Sequence, residues 1–207
     1  MPKVDELTVM SMKKVFLLIL AGFLFVCCSQ KANDEKADAE MTMKPLTYSY
    51  DEGKVNVEID VNYPEGGNEI LRNALCEYIN EQLGGSYEGD LEDGQKLIEF
   101  YGNLFKTELQ KEYEELRTNL DEENINGLYR KFVIEKDYET DKLVTLSVTE
   151  EIYLNGAHGM HYGFGQTFRK SDGRRFNSDM MCNIDSEEWH TLIKEGLRGY
   201  FSEMSEG

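Results

Sequence analysis

A strict two-residue alternation around positions 55–63 constrains the fold of this chain more than any other feature. Lys, Asn, Glu and Asp occupy the even positions from 54 to 62, while the odd positions are apolar or aromatic: Val55, Val57, Ile59, Val61 and Tyr63. Successive side chains of a β-strand point to opposite faces, so this segment predicts a strand with one buried face. The preceding Asp51-Glu52-Gly53 predicts a turn back onto a shorter strand, Leu46 to Tyr50.

Two segments with helical periodicity follow and can cover the buried face of such strands. The first begins after Asn68, a residue able to cap a helix N-terminus, and ends before Gly84, a suitable C-terminal residue. The second runs from about Gln95 to Asn119. Its apolar stripe is opposed by a glutamate-rich face, which is typical of a helix with one side in solvent.

Strand patterns return in the second half of the chain. Three segments rich in β-branched and aromatic residues are separated by short polar or glycine-rich turns: Leu128 to Tyr138, Leu143 to Leu154 and Tyr162 to Arg169. Strands joined by short turns are antiparallel. Ser171, Asp172 and Gly173 then predict a hairpin turn.

A last amphipathic helix is predicted near the end of the chain. It begins near Asp185 or Ser186, and Glu188 completes a capping box if Asp185 is the cap. The order of elements predicts an α+β fold, with an antiparallel β-meander sheet and helices packed on one face. This domain spans residues 45–207: a strand and helical hairpin part in 45–125, and the meander with its helix in 126–207.

Residues 12–30 carry the three regions of an export signal. Lys13 and Lys14 precede an uncharged apolar run from Val15 to Val26, and two cysteines follow. Twelve apolar residues suit a signal peptide and fall short of the roughly 20 that a spanning helix needs. We expect residues 1–28 to be a lipoprotein signal that ends at Cys28, with Cys27 as the alternative acceptor. An ordinary secretory peptide and an uncleaved anchor stay open.

The lipoprotein interpretation implies a protein that faces outside the cytoplasm, anchored to a membrane of the cell envelope by its N-terminal lipid. Residues 29–44 are polar and charged, which predicts a flexible tether.

The formal net charge of −18 disfavours nucleic acid and anionic lipid as partners and favours basic ones. The alternative is that this negative charge only keeps the protein soluble. An oxidising compartment permits a disulfide between Cys76 and Cys182, and the sequence leaves open whether one forms.

The chain offers little that points to catalysis. His158 and His161 lie three residues apart in a glycine-rich turn, without the further ligands of a zinc site, and His190 lies on the last helix. There is no Gly-x-Ser-x-Gly elbow and no phosphate-binding glycine loop. We therefore predict no catalytic residue, no metal site and no cofactor.

The turn between the last two predicted strands combines aromatic, amide and imidazole groups. These suit recognition of a protein or a sugar, and the candidate ligand-binding residues are Tyr153, Asn155, His158, His161 and Tyr162. The plainer alternative is that the tyrosines pack at strand ends. Within the turn, Gly156 and Gly159 are expected to supply positive φ angles, and His158 is expected to hydrogen-bond locally.

The stretch from Leu143 to Phe176 resembles the extracellular C-terminal domain of RsiV-like anti-sigma factors, also found in PdaC-type peptidoglycan deacetylases. The likeness rests on a strand that leads into the turn Gly156-Ala157-His158-Gly159 and on a second strand that ends at the turn Asp172-Gly173. It implies an envelope-facing α+β domain, which in the anti-sigma members binds lysozyme. The segment 55–116 looks like the companion domain often found upstream.

The chain departs from that family in three respects. It shows no cytoplasmic anti-sigma segment and no deacetylase domain, so neither signalling across the membrane nor deacetylation is implied. It also ends soon after the helix at Trp189, where the family would have further strands. A shortened domain of this kind would leave an exposed sheet edge.

Three hypotheses follow. The first is a non-catalytic envelope lipoprotein that binds an extracytoplasmic ligand, either a basic protein such as lysozyme or cell-wall glycan. The second is a hydrolase or metal-dependent enzyme centred on the Gly-Ala-His-Gly turn. The third is a structural subunit of an envelope complex.

Overall fold

The structure, a computed structural model, describes residues 40–177, 180–181 and 184–205. The predicted export signal, residues 29–39 of the tether and Cys182 lie outside the described residues. In the rest of the predicted tether, Met41 is buried and Met43 begins β1. The described part has an α+β fold, with elements in this order: β1 (Met43–Glu52), β2 (Val55–Pro64), α1 (Glu69–Leu83), α2 (Gly94–Asn119), a 3-10 turn (Glu122–Asn124), β3 (Leu128–Glu139), β4 (Leu143–Leu154), β5 (Met160–Arg169) and α3 (Glu187–Ser205). No described helix has the length and apolar character needed to cross a membrane.

The five strands lie side by side in chain order, and one pairing differs from the prediction. Neighbours are antiparallel except β2 and β3, which run parallel with Val55 opposite Leu128 and Val61 opposite Ile134. The predicted α+β fold is confirmed, and its sheet is mostly antiparallel, with this one parallel pair. Parallel strands need a long crossover, and α1 and α2 provide it by returning the chain to the end where β2 began. The meander β3–β4–β5 is confirmed.

Helices α1 and α2 cover one face of the sheet, as predicted. On β2 the five odd-numbered side chains from Val55 to Tyr63 are buried, whereas Asn56, Glu58 and Asp60 are only half-buried. The buried apolar residues of β2, α1 and α2 form one cluster with those of β3, β4 and β5. The parts 45–125 and 126–207 thus share a single sheet and a single core.

Close approach between α2 and the sheet depends on two glycines. A Cβ atom on Gly102 would lie 2.4 Å from the Tyr48 ring, and one on Gly94 would lie 2.5 Å from the Tyr63 ring. Real Cβ atoms do not come this near other atoms, so both rings rest on space that only glycine leaves free.

The helix ends show which capping predictions hold. The Asn68 side chain accepts a hydrogen bond from the backbone N–H of Ile70 at 2.9 Å, so its role as N-cap is confirmed. At α3 the Ser186 hydroxyl accepts from the backbone N–H of Trp189 at 3.1 Å. Ser186 is therefore the cap, and the alternative capping box built on Asp185 is wrong.

Helix α3 differs from α1 and α2. Its apolar side chains remain open to solvent, with Leu192 60%, Ile193 45% and Leu197 52% exposed. The prediction that helices pack on the sheet therefore holds for α1 and α2 and not for α3. The spacing of apolar residues predicts that a helix forms, but it carries no information on what the apolar stripe contacts.

A buried ion cluster fastens the turn between β3 and β4 to the end of β5. The Lys170 side chain, only 3% exposed, places Nζ 2.9 Å from Glu139 Oε1, and Lys136 Nζ lies 2.8 Å from Oε2. The backbone N–H of Met41 donates to the same carboxylate at 2.8 Å. Burial alone would raise the pKa of Glu139, but the hydrogen bonds from the two lysines and Met41 outweigh it and lower the pKa.

We expect Glu139→Gln to lower the free energy of unfolding by about 3 kcal/mol at neutral pH, because Lys170 is left buried without its counter-charge. The lowered pKa means that this stability is present above the ordinary value of 4.5 and is lost as the pH falls through the folded-state value. Urea denaturation of wild type and variant across the acid range should show two curves that converge at low pH. Glu135→Gln, which removes an exposed carboxylate on the same strand, is the control. Parallel curves for Glu139→Gln and wild type would contradict the assignment.

Candidate functional site

The five predicted ligand-binding residues lie around one turn but on two faces of the sheet. Glu151 is paired with His161 and Glu150 with Tyr162, so the two β5 side chains alternate across the sheet. The Glu150 carboxylate is held by Arg130, which also reaches Glu108 of α2 at 3.3 Å, so Tyr162 belongs to the helix side. Tyr153 and His161 belong to the opposite, outer face. The five residues therefore do not form one cluster.

The left-handed residue of the turn is Asn155, with φ of 60°. Its Oδ1 accepts from the backbone N–H of Asn126 at 2.8 Å, and its Nδ2 donates to the Asn124 carbonyl at 3.4 Å. The expectation that Gly156 and Gly159 supply positive φ is wrong. Asn tolerates the left-handed region because its short amide bonds locally, and here that amide also ties the turn to the loop before β3.

Gly159 lies where an added side chain would be crowded, and its backbone angle does not call for glycine. A Cβ atom there would lie 3.3 Å from the Ile152 carbonyl oxygen and 3.4 Å from the Tyr129 hydroxyl. At Gly156 the nearest such atom is the His158 carbonyl oxygen at 3.8 Å, an ordinary contact. His158 Nδ1 lies 3.0 Å from the Gly159 carbonyl oxygen, so the expected local hydrogen bond of His158 is confirmed. Ala157, in the same turn, is exposed.

The predicted turn at Asp172 and Gly173 is confirmed. Gly173 has φ of 67°, and its N–H donates to the Arg169 carbonyl at 2.9 Å. The Arg169 guanidinium hydrogen-bonds Asp172 and holds the pKa of that carboxyl below its ordinary value. A Cβ atom on Gly173 would lie 2.8 Å from the Cβ of Ala74, so this turn is docked on α1.

An aromatic stack at the end of the outer face was not predicted in full. The rings of Tyr129 and Tyr153, cross-strand partners on β3 and β4, stack with centroids 5.8 Å apart at 25°. Tyr129 was missed because only the β3–β4 register places it beside Tyr153. The sequence shows only that Tyr129 lies near the start of a predicted strand, which does not disclose its partner strand.

The stack borders a cleft of about 310 Å³ between the start of β3 and the β1–β2 turn. Two amides, a carboxylate and an amine join the tyrosines in its wall, which is lined by Asp51, Gly53, Lys54, Val55, Asn56, Asn126, Gly127, Leu128, Tyr129 and Tyr153. A concave site with aromatic faces and a few polar groups is the usual form of a small-ligand pocket. We refer to this pocket as the tyrosine cleft.

The histidines do not assemble a metal site. His161 Nδ1 lies 3.6 Å from Glu151 Oε1, and both side chains are largely exposed. Within the part of the chain that the structure describes, no group of three or more His, Cys, Asp or Glu residues could hold a metal ion. Cys76 is a buried free cysteine whose thiol pKa is raised by burial. Whether Cys76 forms a disulfide with Cys182 stays open, because Cys182 lies outside the described residues.

Comparison with known proteins bears on the fold. No protein-family model matches this chain, and no curated protein matches it. Solved structures do: a DUF3298 family member from Bacteroides fragilis aligns over 79% of this chain and 69% of its own, at 18% identity and a TM-score of 0.55. A DUF3298 family protein from Pseudomonas aeruginosa aligns over 82% of this chain and 70% of its own, at 13% identity and a TM-score of 0.51. At these identities the likeness concerns the fold alone.

We expect Gly159→Ala to destabilise the protein by about 1 kcal/mol, because the added methyl group crowds the Ile152 carbonyl and the Tyr129 hydroxyl. Gly156→Ala, in the same turn but with only an ordinary van der Waals contact, should stay within about 0.5 kcal/mol of wild type. Chemical denaturation gives the free energies of unfolding, and near-ultraviolet circular dichroism reports the environment of the tyrosine stack. Equal effects of the two substitutions would show that Gly159 has no special packing role.

Proposed function

We propose that this chain is a non-catalytic lipoprotein of the cell envelope that binds an extracytoplasmic ligand at the tyrosine cleft and the adjoining turn at 155–159. The observation that carries the proposal is the stacked pair Tyr129 and Tyr153, which is open to solvent beside a cleft with amide and charged groups. Tyrosine offers a large contact area with few rotatable bonds, so its immobilisation on binding costs little.

The first ligand that we propose is a basic protein, with lysozyme as the example. Two arguments support it. The net charge of −18 speeds encounter with a basic partner. The sequence from 143 to 176 resembles the RsiV-like extracellular domain, whose anti-sigma members bind lysozyme, and the DUF3298 structures share the fold without naming a ligand.

Cell-wall glycan is the second ligand, and the shape of the tyrosine cleft favours it. A sugar ring presents apolar C–H faces that can rest on an aromatic ring, and hydroxyls that amides and carboxylates can bind. Asn56, Asn126 and Asp51 offer such groups beside the stack. The volume of about 310 Å³ lies at the small end of the range for ligand pockets, which suits one or two sugar rings.

The alternatives demand different chemistry. An enzyme centred on the Gly-Ala-His-Gly turn would need groups that activate a water or a nucleophile beside His158, whose imidazole bonds to the neighbouring carbonyl. A structural subunit of an envelope complex would need a partner surface, and the tyrosine cleft would then have no ligand. Both are decided by the binding experiment and by a search for co-purifying proteins after crosslinking.

We expect the chain from residue 40 to bind lysozyme in a calorimetric titration, and the affinity to fall as salt rises because exposed charges are screened. Tyr129→Ala and Tyr153→Ala should each weaken binding about tenfold or more, as central aromatic contacts do. Tyr138→Ala is the matched control, since Tyr138 is 60% exposed at the other end of β3.

The same variants distinguish the two ligands. Soluble peptidoglycan fragments in place of lysozyme should bind with the same dependence on Tyr129 and Tyr153 if glycan is the ligand, and with little dependence on salt. If neither probe binds, or if all three tyrosine variants bind like wild type, the tyrosine cleft is not the binding site.

The lipid anchor has its own test. In cells fed a labelled fatty acid, Cys28→Ala should abolish labelling of the protein, because the thiolate at the cleavage site accepts the lipid. Cys27→Ala should leave labelling intact and serves as the control. Labelling that is lost only with Cys27→Ala would move the acceptor to Cys27, and labelling that survives both changes would exclude the lipoprotein assignment.

A further inference from the structure

Helix α3 presents an apolar stripe that no described part of the chain covers. Ile193 and Leu197 lie four residues apart and Leu192 adjoins Ile193, so the three side chains share one broad helix face, and about half of each is exposed. Isolated helices are marginal in water, and most helices owe their stability to packing of the apolar face. This stripe therefore calls for a surface to pack on.

The sheet leaves a matching apolar surface on the helix side of β5. Met160, Tyr162 and Phe164 alternate along the strand and are 44%, 51% and 51% exposed. Further along the same face Phe168 is fully buried, with its ring 5.2 Å from that of Tyr78 on α1. The cover given by α1 therefore reaches one end of β5 and stops. We name the three exposed residues the β5 strip.

We propose that α3 of one copy packs on the β5 strip of a second copy, and that the second copy returns the same contact. The result is a two-fold symmetric dimer formed by exchange of α3. Exchange of an identical element is a low-cost route to dimers, because the interface already suits the chain. In a single copy the α3 stripe and the β5 strip are both exposed. One half of an exchanged dimer would look the same when its partner is removed.

The exposed area is in keeping with a dimer. Each copy contributes six large side chains that are about half exposed, and at roughly 100 Å² each they offer roughly 600 Å² per copy. The total of roughly 1,200 Å² reaches the lower bound for stable protein interfaces. Most of this area is apolar, as the centre of a homodimer interface requires.

Charges at the margins favour one orientation of the helix. Lys194 and Arg198 lie one turn apart on a flank of the α3 stripe and are exposed. On the sheet side the half-exposed Glu108 of α2 pairs with Arg130 of β3, and Arg130 also binds Glu150 of β4, which lies opposite Tyr162 of the β5 strip. The basic flank of α3 can thus face the acidic margin of α2 in the other copy, whereas the reverse orientation would bring Glu188 and Glu195 there.

The test is the oligomeric state of the mature chain from residue 28, carrying Cys28→Ser to omit the lipid, in analytical ultracentrifugation over a range of concentrations. Wild type should sediment as a dimer. Leu197→Glu on α3 and Tyr162→Glu on the β5 strip should each shift it to monomer, with at least a tenfold rise in the dissociation constant. Glu195→Gln, on the polar side of α3, should remain dimeric.

A crosslinking experiment separates exchange from packing within one chain. Phe164→Cys and Leu197→Cys are made as single variants, mixed and treated with a short bismaleimide. The control is a mixture of the Leu197→Cys and Glu195→Cys variants. A covalent dimer that forms in the first mixture and not in the control supports the exchange. A wild-type monomer at all concentrations overturns it, as does a Phe164→Cys/Leu197→Cys double variant that crosslinks only within the chain. A monomer that binds phospholipid vesicles through α3 would overturn it equally.

Discussion

The parallel pairing of β2 with β3 is the constraint on which the rest of the structure depends. It joins the β1–β2 hairpin to the β3–β4–β5 meander, and its register places the Leu128 N–H 2.7 Å from the Lys54 carbonyl oxygen. A parallel pair obliges the chain to return to its starting end, and α1 and α2 are the return. They must then lie over the apolar face of β2, where Val57 and Ile59 are fully buried.

The same pairing creates the candidate site. Because β3 starts beside the β1–β2 turn, the loop at 124–127 lies against Gly53 and Lys54, and the tyrosine cleft opens between them. Asn155 then ties the β4–β5 turn to that loop through two hydrogen bonds. Residues that are far apart in the sequence therefore meet at one end of the sheet. The opposite end is closed by the ion cluster of Glu139, Lys136 and Lys170.

The helices cover the sheet unevenly. Over β1, β2 and β3 the two central helices exclude water, aided by the glycines that admit the Tyr48 and Tyr63 rings. Over β5 the cover ends between Phe168, which is buried, and Phe164, which is half-exposed. Among the described residues, the helix face of β5 and the stripe of α3 are both exposed, and we propose them as the two halves of an interface. We propose the outer face, with Tyr129 and Tyr153, as the ligand site.

Local pattern determined the type and order of the elements and most of their bounds, although β1 begins at Met43, three residues before its predicted start. The strand Leu143–Leu154 and the helix end at Asn119 coincide with the prediction, and Asn68 caps α1 as expected, because side-chain periodicity and capping chemistry act over a few residues. Tertiary structure decided what those elements contact. The parallel β2–β3 pair, the partnership of Tyr129 with Tyr153, the left-handed Asn155 and the solvent-exposed stripe of α3 depend on register and on long-range packing. A one-residue shift of register moves every side chain to the other face, and no local pattern in the sequence specifies which strand lies alongside.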